Sequence, residues 1–415
     1  MIDLKVKRVL PFALAVAMLI CVVSVSSLNK AGAPTSAIHN TILPAEDTNS
    51  ATADTLQSVN HDEMRGVWVT YMDLSMVNEA DKSEKRFREK FAEIAENSRS
   101  FGFNTLIVQV RPFCDALYNS KYFPYSHILT GEQGNAPGYD PLEIMCEICK
   151  SYDLKIHAWL NPYRVKVKDT PYELCDENPY IKDNGIGFET DGGIYLDPSS
   201  KDTQDLITDG VAEIVENYDV DGIQFDDYFY PPDLSDADSD SYNAYVSEMG
   251  GKSCMGINNW RKANVNMLIC RVYRTVHEIS DNVVFGISPQ GNIDNNAGLY
   301  ADVQSWCTCK GFVDYICPQI YFSLDNPKLT FEDALRGWEE LEFSDKVTLY
   351  VGLAGYKAGS DSDEETWLES DDILEKEYEI IKDDKRVKGF MLYAYASLSD
   401  ENTQKEIDNL KKALN

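Results

Sequence analysis

The feature that most constrains the fold of this chain is a regular alternation, after residue 63, of short β-branched or aromatic runs with longer amphipathic stretches. The short runs have the composition of strands, and the long stretches have the apolar periodicity of helices. The predicted strands cover residues 65–71, 105–110, 155–160, 222–226, 283–288, 315–321, 348–356 and 389–397. The predicted helices cover residues 83–100, 141–152, 203–218, 259–279, 302–310, 331–341, 372–382 and 401–414. This pattern predicts an α/β protein whose parallel sheet closes into a (β/α)8 TIM barrel.

The N-terminal residues predict export. Three basic residues precede an apolar run over residues 9–27. Such an order is typical of a secretory signal, and a run of about 19 residues is also long enough to span a bilayer. We interpret residues 1–28 as a signal peptide or N-terminal membrane anchor and residues 29–63 as a disordered linker of low apolar content. The folded domain is predicted over residues 64–415, in a protein that is secreted or tethered at the cell surface.

The charge balance argues against several partners. The chain has 69 acidic and 38 basic residues, for a formal net charge of −31. Binding to phosphates needs clustered Lys and Arg, so neither nucleic acid nor an anionic membrane surface is an expected partner. No two His stand at metal-ligand spacing, and no Gly-x-Ser-x-Gly nucleophile motif occurs. We therefore expect no metal and no other cofactor.

Polar and aromatic side chains follow every predicted strand. Because the catalytic groups of a TIM barrel lie at the carboxyl ends of its strands, these side chains are expected to line one crater. Aromatic rings can cover the C–H face of a sugar, while amides, Arg and carboxylates can bind its hydroxyls. Cleavage of a glycosidic bond typically needs two carboxyl groups, one as acid and one as nucleophile or base. The crater therefore predicts a polysaccharide or oligosaccharide substrate.

The end of the fourth predicted strand supplies the candidate catalytic carboxylates, Asp226 and Asp227. Alternate side chains of a barrel strand point to the interior and to the surrounding helices. Because Ile223 and Phe225 are apolar and suit the helix side, Asp226 is expected to point into the crater, on the same side as Tyr228. Asp227 begins the following loop, where it either reaches the ligand or braces an Arg or backbone N–H groups.

Three aspartates compete for the role of second carboxylate, and Asp227 ranks first as the general acid. Asp115 lies close after Arg111 in sequence, and a guanidinium would lower its pKa, whereas a general acid needs a raised pKa. Asp73 follows the first strand, far around the ring from the fourth. His157, midway along the third strand, is interpreted as a hydrogen-bonded residue of the barrel interior rather than a base.

Long motifs in the chain resemble the glycosyl-hydrolase-like family 10 domain over roughly residues 64–397. They are Arg65-Gly-Val-Trp-Val, Phe103-Asn-Thr-Leu-Ile-Val-Gln-Val-Arg-Pro, Asp115-Ala-Leu-Tyr, Gly138-Tyr-Asp-Pro-Leu, His157-Ala-Trp-Leu-Asn-Pro-Tyr-Arg, Tyr218-Asp-Val-Asp-Gly-Ile-Gln-Phe-Asp-Asp-Tyr-Phe-Tyr-Pro, Trp260-Arg-Lys-Ala-Asn-Val-Asn, Phe285-Gly-Ile-Ser-Pro and Asp314-Tyr-Ile-Cys-Pro-Gln-Ile-Tyr. The resemblance implies a (β/α)8 glycosidase of bacterial envelopes, and some members act on peptidoglycan glycan strands stripped of peptides. It also implies a set of pocket residues: Arg111, Asp115, Asn161, Tyr163, Asp226, Asp227, Gln319 and Tyr321.

Two further candidate substrate-binding residues depart from related patterns. Many members of the resembling family have Phe where Gln290 stands, so this edge of the pocket differs. The fourth-strand motif also resembles the Asp-x-Asp-x-Glu motif of chitinase-like family 18, but Tyr228 stands in place of the Glu. A chitinase-like mechanism therefore lacks its acid here.

The leading hypothesis is an exported glycoside hydrolase that acts by carboxylate acid–base catalysis. Its substrate would be a bacterial envelope or environmental polysaccharide, such as peptide-free peptidoglycan glycan. The alternative is a non-catalytic or weakly catalytic carbohydrate-binding barrel at the cell surface, because no Glu ends the fourth, fifth or sixth strand. A deacetylase or esterase is less well supported, since neither a nucleophile nor a metal site is visible.

Overall fold

The computed structural model describes residues 63–250 and 253–414. The strands are β1 (Met64–Val69), β2 (Thr105–Arg111), β3 (Lys155–Leu160), β4 (Arg164–Val167), β5 (Gly187–Thr190), β6 (Gly193–Leu196), β7 (Gly222–Phe225), β8 (Val284–Ile287), β9 (Tyr315–Ile316), β10 (Thr348–Leu353) and β11 (Val387–Leu392). The helices are α1 (Glu84–Phe101), α2 (His127–Thr130), α3 (Pro141–Ser151), α4 (Pro179–Lys182), α5 (Lys201–Asn217), α6 (Ser239–Glu248), α7 (Ile257–Ile279), α8 (Val303–Thr308), α9 (Phe331–Glu339), α10 (Ile373–Asp383) and α11 (Gln404–Leu414). The predicted signal or anchor and the predicted linker up to residue 62 lie outside the described residues. Within those residues, no helix is long and apolar enough to cross a membrane.

Eight strands pair in parallel and close into a barrel, in the ring order β1, β2, β3, β7, β8, β9, β10 and β11. This confirms the predicted TIM barrel. Strands of this kind are covered on both faces, which explains their nearly continuous apolar sequence. Every residue of β2 is buried, for example. Several helices begin at a polar cap residue. One is Ser83, whose hydroxyl accepts a hydrogen bond from the N–H of Arg86 in α1.

The sixth barrel strand is much shorter than predicted. The prediction covered residues 315–321, but β9 has only two residues. Pro318 explains the difference, because it has no N–H to donate to a sheet. Beyond this interruption the chain stays beside its neighbours, since Gln319 forms isolated bridges with Gln290 and with Gly352. The interruption therefore keeps Gln319 at the carboxyl end of the barrel.

An insertion between β3 and α5 was not predicted. It contains a three-stranded antiparallel sheet in the order β4, β6, β5. The Leu196 N–H, at the end of β6, donates a 2.8 Å hydrogen bond to the carbonyl of Tyr163, just before β4 begins. The insertion therefore leaves and rejoins the barrel at nearly the same point, at the carboxyl end of β3.

The barrel interior beneath the carboxyl ends of the strands is filled by large side chains. The Trp68 indole N–H donates to the Gln224 side-chain oxygen at 2.6 Å, and Gln224 Nε2 donates to the Tyr315 hydroxyl at 3.1 Å. His157 Nδ1 lies 3.0 Å from the same hydroxyl, which confirms that His157 is a hydrogen-bonded interior residue. A Cβ atom at Gly286 would lie 2.1 Å from the Tyr315 ring, so only glycine leaves room for that ring. This layer forms a rigid floor below the crater.

Candidate active site

Asp226 immediately follows β7 and, as the pleat predicted, points toward the barrel interior. The side chain is only 3 % exposed. Its Oδ2 accepts hydrogen bonds from the Trp159 indole N–H at 3.0 Å and from Asn161 Nδ2. Its Oδ1 accepts a hydrogen bond from the backbone N–H of Tyr228 at 3.2 Å. The carboxyl group is thus held toward β3.

A relay of amide groups fixes Asn161 against this carboxyl group. The Asn161 oxygen accepts a 2.6 Å hydrogen bond from Gln109 Nε2 in β2. The Gln109 oxygen in turn accepts from the backbone N–H of Tyr71, which follows β1, at 3.1 Å. Asn161 can therefore present only its NH2 group to Asp226. Gln109 is a positioning residue that the sequence-based site did not include.

Asp227 is also buried, but its carboxyl group is directed to the opposite side of β7. Oδ1 accepts a 2.9 Å hydrogen bond from Gln319 Nε2, and Oδ2 accepts one from Gln290 Nε2. Gln319 Nε2 also donates to the Ser288 carbonyl at 3.0 Å. The two adjacent aspartates therefore diverge, Asp226 toward β3 and Asp227 toward β8 and β9.

Burial changes the protonation of both aspartates. Burial, together with the neighbouring charge of Asp227, raises the pKa of Asp226 to about 7, although Arg164 and the hydrogen bonds to its carboxylate act in the opposite direction. Burial also raises the pKa of Asp227, while the hydrogen bonds from Gln319 and Gln290 oppose that increase. Two buried carboxyl groups this close together favour a state with one proton and one negative charge. Such a pair can act as acid and as base near neutral pH.

Arg164, the first residue of β4, places a cation beside the pair. Its guanidinium carbon lies 4.0 Å from the centre of the Tyr228 ring and 5.8 Å from that of Phe113. Its positive charge counteracts the rise in pKa that burial causes at Asp226 and Asp227. The insertion therefore contributes a cation to the crater.

Three tyrosines that follow β9, β10 and β11 form an aromatic wall across the crater. The ring centres of Tyr321, Tyr356 and Tyr393 lie 5.8 Å from one another in every pair. Tyr356 is 42 % exposed, whereas Tyr321 and Tyr393 are half-buried. Exposed aromatic rings on rigid supports are suited to contact the apolar face of a sugar. Tyr356 and Tyr393 were not among the predicted site residues.

Comparison with known proteins now identifies the family. Residues 63–369 match the family described as Glycosyl hydrolase-like 10. The chain belongs to this family. It is 31 % identical to "Glycosyl hydrolase YngK" of Bacillus subtilis over 81 % of this chain and 69 % of that protein. It is also 31 % identical to "Glycosyl hydrolase DigH" of Escherichia coli over 84 % of this chain and 86 % of that protein.

Solved structures support the fold of this glycosyl-hydrolase-like 10 protein. The PgaB (BpsB) glycoside hydrolase domain of Bordetella bronchiseptica aligns with a TM-score of 0.55 at 11 % identity, over 84 % of this chain and 98 % of that one. The catalytic domain of a Paenibacillus polymyxa β-amylase aligns with a TM-score of 0.53 at 12 % identity, over 85 % and 97 % of the two chains. At sequence identities this low, the similarity shows a shared fold only. Family and fold together make the protein a glycoside hydrolase.

The structure of this family member does not bring every predicted pocket residue to the crater. The ladder between β2 and β3 shifts register between Gln109 and Arg111. As a result the Arg111 guanidinium packs 4.5 Å from the Phe123 ring centre, and its Nη1 would lie 2.8 Å from a Cβ atom at Gly210 in α5. Arg111 is therefore buried between barrel and helix. Its backbone carbonyl still accepts a hydrogen bond from the Asn161 N–H at 3.0 Å, so it supports the site indirectly.

Asp115 and Tyr163 are also fully buried in this family member. Asp115 Oδ1 accepts from the N–H of Phe113 at 3.2 Å, and Oδ2 lies 3.6 Å from His127 Nδ1. Asp115 thus stabilises the loop after β2, and Arg111 is not among its ion-pair partners in the described chain. Tyr163 packs into the apolar core where the insertion leaves the barrel.

Asp73, the remaining candidate carboxylate, is held by its own turn. One of its oxygens accepts hydrogen bonds from the N–H and the hydroxyl of Thr70, both at 2.8 Å. Burial raises the pKa of Asp73, and the hydrogen bonds from Thr70 oppose that increase. Asp226, Asp227, Asn161, Gln290, Gln319, Tyr228 and Tyr321 are the predicted residues that the structure does gather. In the described chain, no group of three or more His, Cys, Asp or Glu is placed to hold a metal ion.

Proposed function

We propose that this protein is an exported glycosidase that hydrolyses a bacterial envelope or environmental polysaccharide through Asp226 and Asp227. The divergence of these two buried carboxyl groups carries the proposal, because it allows one to hold a proton while the other stays charged. Family membership supports the reaction class. The apolar run at residues 9–27 supports export to the cell surface or beyond. Peptide-free peptidoglycan glycan is the first substrate to test, since the family resemblance implies it.

The hydrogen bonds favour Asp226 as the general acid, which reverses the ranking suggested by sequence. Both oxygens of Asp227 receive an amide donor, and these donors compensate a negative charge. The two side-chain donors of Asp226 converge on Oδ2, which leaves Oδ1 with a single backbone donor at 3.2 Å. Oδ1 is therefore the oxygen suited to carry the proton.

The reaction then follows from these protonation states. Asp226 gives its proton to the glycosidic oxygen as the bond from that oxygen to the anomeric carbon breaks. The charge of Asp227 stabilises the positive character that develops at the anomeric carbon, either by direct attack or by taking a proton from the attacking water. If Asp227 attacks directly, water then breaks the bond between Asp227 and the sugar and gives its proton to Asp226. If Asp227 instead takes the proton of the attacking water, it releases that proton to solvent and Asp226 takes one back from solvent. Both products then leave. Arg164, Tyr228 and the tyrosine wall would contact the sugars on either side of the cleaved bond.

The roles can be separated with an aryl glycoside whose leaving group departs without protonation. We expect Asp226→Ala to be strongly impaired on a natural glycan and much less impaired on the aryl glycoside. Asp227→Ala should be impaired on both substrates, by about 10³-fold or more in kcat, because its charge is needed in either case. If instead Asp227→Ala is strongly impaired on the natural glycan and much less impaired on the aryl glycoside, Asp227 is the general acid. Glycan binding without turnover of any substrate by the wild type would instead favour a carbohydrate-binding barrel.

A further inference from the structure

Asn296 fastens the loop that follows β8, on the side of the crater to which Asp227 points. It lies in a short 3-10 helix, Ile293–Leu299, and its side chain is 1 % exposed. Its Oδ1 accepts a hydrogen bond from the Gln290 N–H at 3.1 Å, and its Nδ2 donates to the Gln290 carbonyl at 3.0 Å. Nδ2 also donates to the Ile293 carbonyl at 3.2 Å. One buried amide therefore holds both backbone polar groups of Gln290.

Two neighbours fix the same loop from its other side. Gly291 packs so closely on the loop after β9 that a Cβ atom there would lie 2.0 Å from the Gln319 carbonyl oxygen. The Gln319 N–H donates to the Pro289 carbonyl at 2.9 Å. The buried indole N–H of Trp338 in α9 donates to the Gly291 carbonyl at 2.8 Å. The backbone at Gln290 therefore has little freedom, and its side chain is the part that can still turn.

This backbone directs two amide groups to Asp227. Gln290 Nε2 donates to Oδ2 of Asp227, and Gln319 Nε2 donates to Oδ1. Both glutamine side chains are only half-buried at the crater, so water competes for each amide. A donor favours the charge of a carboxylate only while it is held in reach of it. The fastening of the loop after β8 therefore decides whether the Gln290 donor stays on Asp227.

The charged and titratable groups around Asp227 show why these donors matter. Asp226 directly precedes it, and the two carboxyl groups disfavour each other's charge. Arg164 acts in the opposite direction. Burial raises the pKa of Tyr228 to about 12 and raises the pKa of Tyr321 well above its ordinary range, so neither hydroxyl ionises near neutral pH. The two glutamine amides are thus neutral donors that compensate the charge of Asp227 beside a second carboxyl group.

We infer that Asn296 is a positioning residue of the proposed reaction: it holds the loop after β8 so that Gln290 keeps its hydrogen bond to Asp227, which thereby remains the charged member of the carboxyl pair. The hydrogen bonds of the Asn296 side chain go to the backbone of its own loop, so it acts on Asp227 through Gln290. The inference rests on the proposed glycosidase function and adds how that enzyme keeps its second carboxylate charged.

The test compares the pH dependence of kcat/KM between variants on peptide-free peptidoglycan strands. In Asn296→Ala the Gln290 donor loses its support, and in Gln290→Met the donor itself is removed. Both changes should move the acid limb of the profile up by about one pH unit, because Asp227 then takes up a proton at a higher pH. The alkaline limb, which Asp226 sets, should move less. A loop fastened for stability alone would leave both limbs in place.

Asn178→Ala is the matched control. This buried amide also fastens a loop, since its oxygen accepts from the Tyr180 N–H at 3.0 Å and its Nδ2 donates to the Cys114 carbonyl at 3.4 Å. The control should lower the free energy of unfolding but move neither limb. The double variant of Asn296→Ala and Gln290→Met should shift the acid limb no further than either single change, because both remove the same hydrogen bond. Additive shifts, or an unmoved acid limb in Asn296→Ala, would overturn the inference.

A measurement without turnover separates this inference from the proposed function. Carboxyl 13C NMR across pH follows the protonation of Asp227, whose signal is identified by its loss in Asp227→Asn. Its titration midpoint should rise in Asn296→Ala as it does in Gln290→Met, and an unchanged midpoint in Asn296→Ala refutes the positioning role. If the alanine variant does not fold, Asn296→Ser takes its place and must show the same rise. If the wild type cleaves no glycan, the proposed function fails, and the NMR midpoints alone decide the inference.

Discussion

The indole N–H of Trp159 offers a direct way to change the acidity of Asp226. That N–H donates a 3.0 Å hydrogen bond to Asp226 Oδ2 and thereby favours the charged carboxylate. Burial raises the pKa of Asp226 to about 7 despite this donor. Relative to an ordinary Asp near 3.9, this corresponds to about 4 kcal/mol in favour of the protonated form. Trp159→Phe removes the donor and should raise the pKa of Asp226 further.

The size of the change follows from the remaining donors. A hydrogen bond to a charged group contributes about 1.5–3 kcal/mol, and Asn161 and the Tyr228 N–H still donate in the variant. We therefore expect the loss of the Trp159 donor to cost the lower end of this range, which corresponds to a rise of about one unit in the pKa of Asp226. Because the acid must be protonated to act, the alkaline limb of the kcat/KM profile should move from near pH 7 to about pH 8.

Trp68→Phe is the matched control. Its indole N–H also donates to a buried oxygen, that of Gln224 at 2.6 Å, and it lies in the same interior cluster as Trp159. Trp68→Phe should reduce the free energy of unfolding by an amount comparable to Trp159→Phe, but it should not move the alkaline limb of the kcat/KM profile. The reasoning is refuted if Trp159→Phe leaves that limb in place or lowers it, or if Trp68→Phe moves it by the same amount. A shift of the acid limb instead would mean that Asp226 works as the charged base.

Two other predictions concern the tyrosine wall and the packing behind it. Tyr356→Ala should raise KM for a glycan roughly 3- to 10-fold with little change in kcat, because it removes a stacking surface but no reacting group. Tyr172→Ala, which removes an exposed tyrosine outside the wall, should change neither KM nor kcat. Glu377 in α10 is fully buried, and neither of its oxygens has a hydrogen-bond partner in the described chain, so burial raises its pKa well above the ordinary range. The folded protein then keeps a proton that the unfolded chain releases above about pH 4.3, and the free energy of unfolding falls as pH rises. Glu377→Gln should match the wild type in denaturant unfolding at pH 4 and be more stable at pH 8; an equal difference at both pH values would contradict this account.

The barrel and the inward position of Asp226 could be predicted because both depend on local periodicity. Alternation of apolar and polar residues along the fourth strand identified Asp226 as an inward-facing group, and its contacts with Trp159 and Asn161 agree with that orientation. The family resemblance implied that Arg111 is a pocket residue, but the register shift after Gln109 turns its side chain toward α5. A bulge changes which face a residue occupies and leaves no clear mark in a single sequence.

Long-range contacts account for the rest of what was missed. Arg164 stands next to Tyr163 in sequence, yet only the pairing of β4 with β6 brings its guanidinium over Tyr228. The strands of that small sheet have four residues each, too few to show a pattern. The tyrosine wall combines the ends of three strands that are distant in sequence, so its geometry exists only once the barrel has closed. Local sequence therefore predicted the position of the proposed reacting groups better than that of the side chains around them.

The closed base of the insertion has a consequence for how such enzymes diversify. The hydrogen bond between Tyr163 and Leu196 joins the two ends of the segment that carries β4, β5 and β6. Segments of other lengths and charges can therefore be exchanged on this stem without stretching the scaffold beneath it. The proposed reacting groups follow a barrel strand, whereas the insertion contributes Arg164 beside them. Natural variation or laboratory grafting at this single junction can thus change the side chains beside the crater while the barrel beneath is kept.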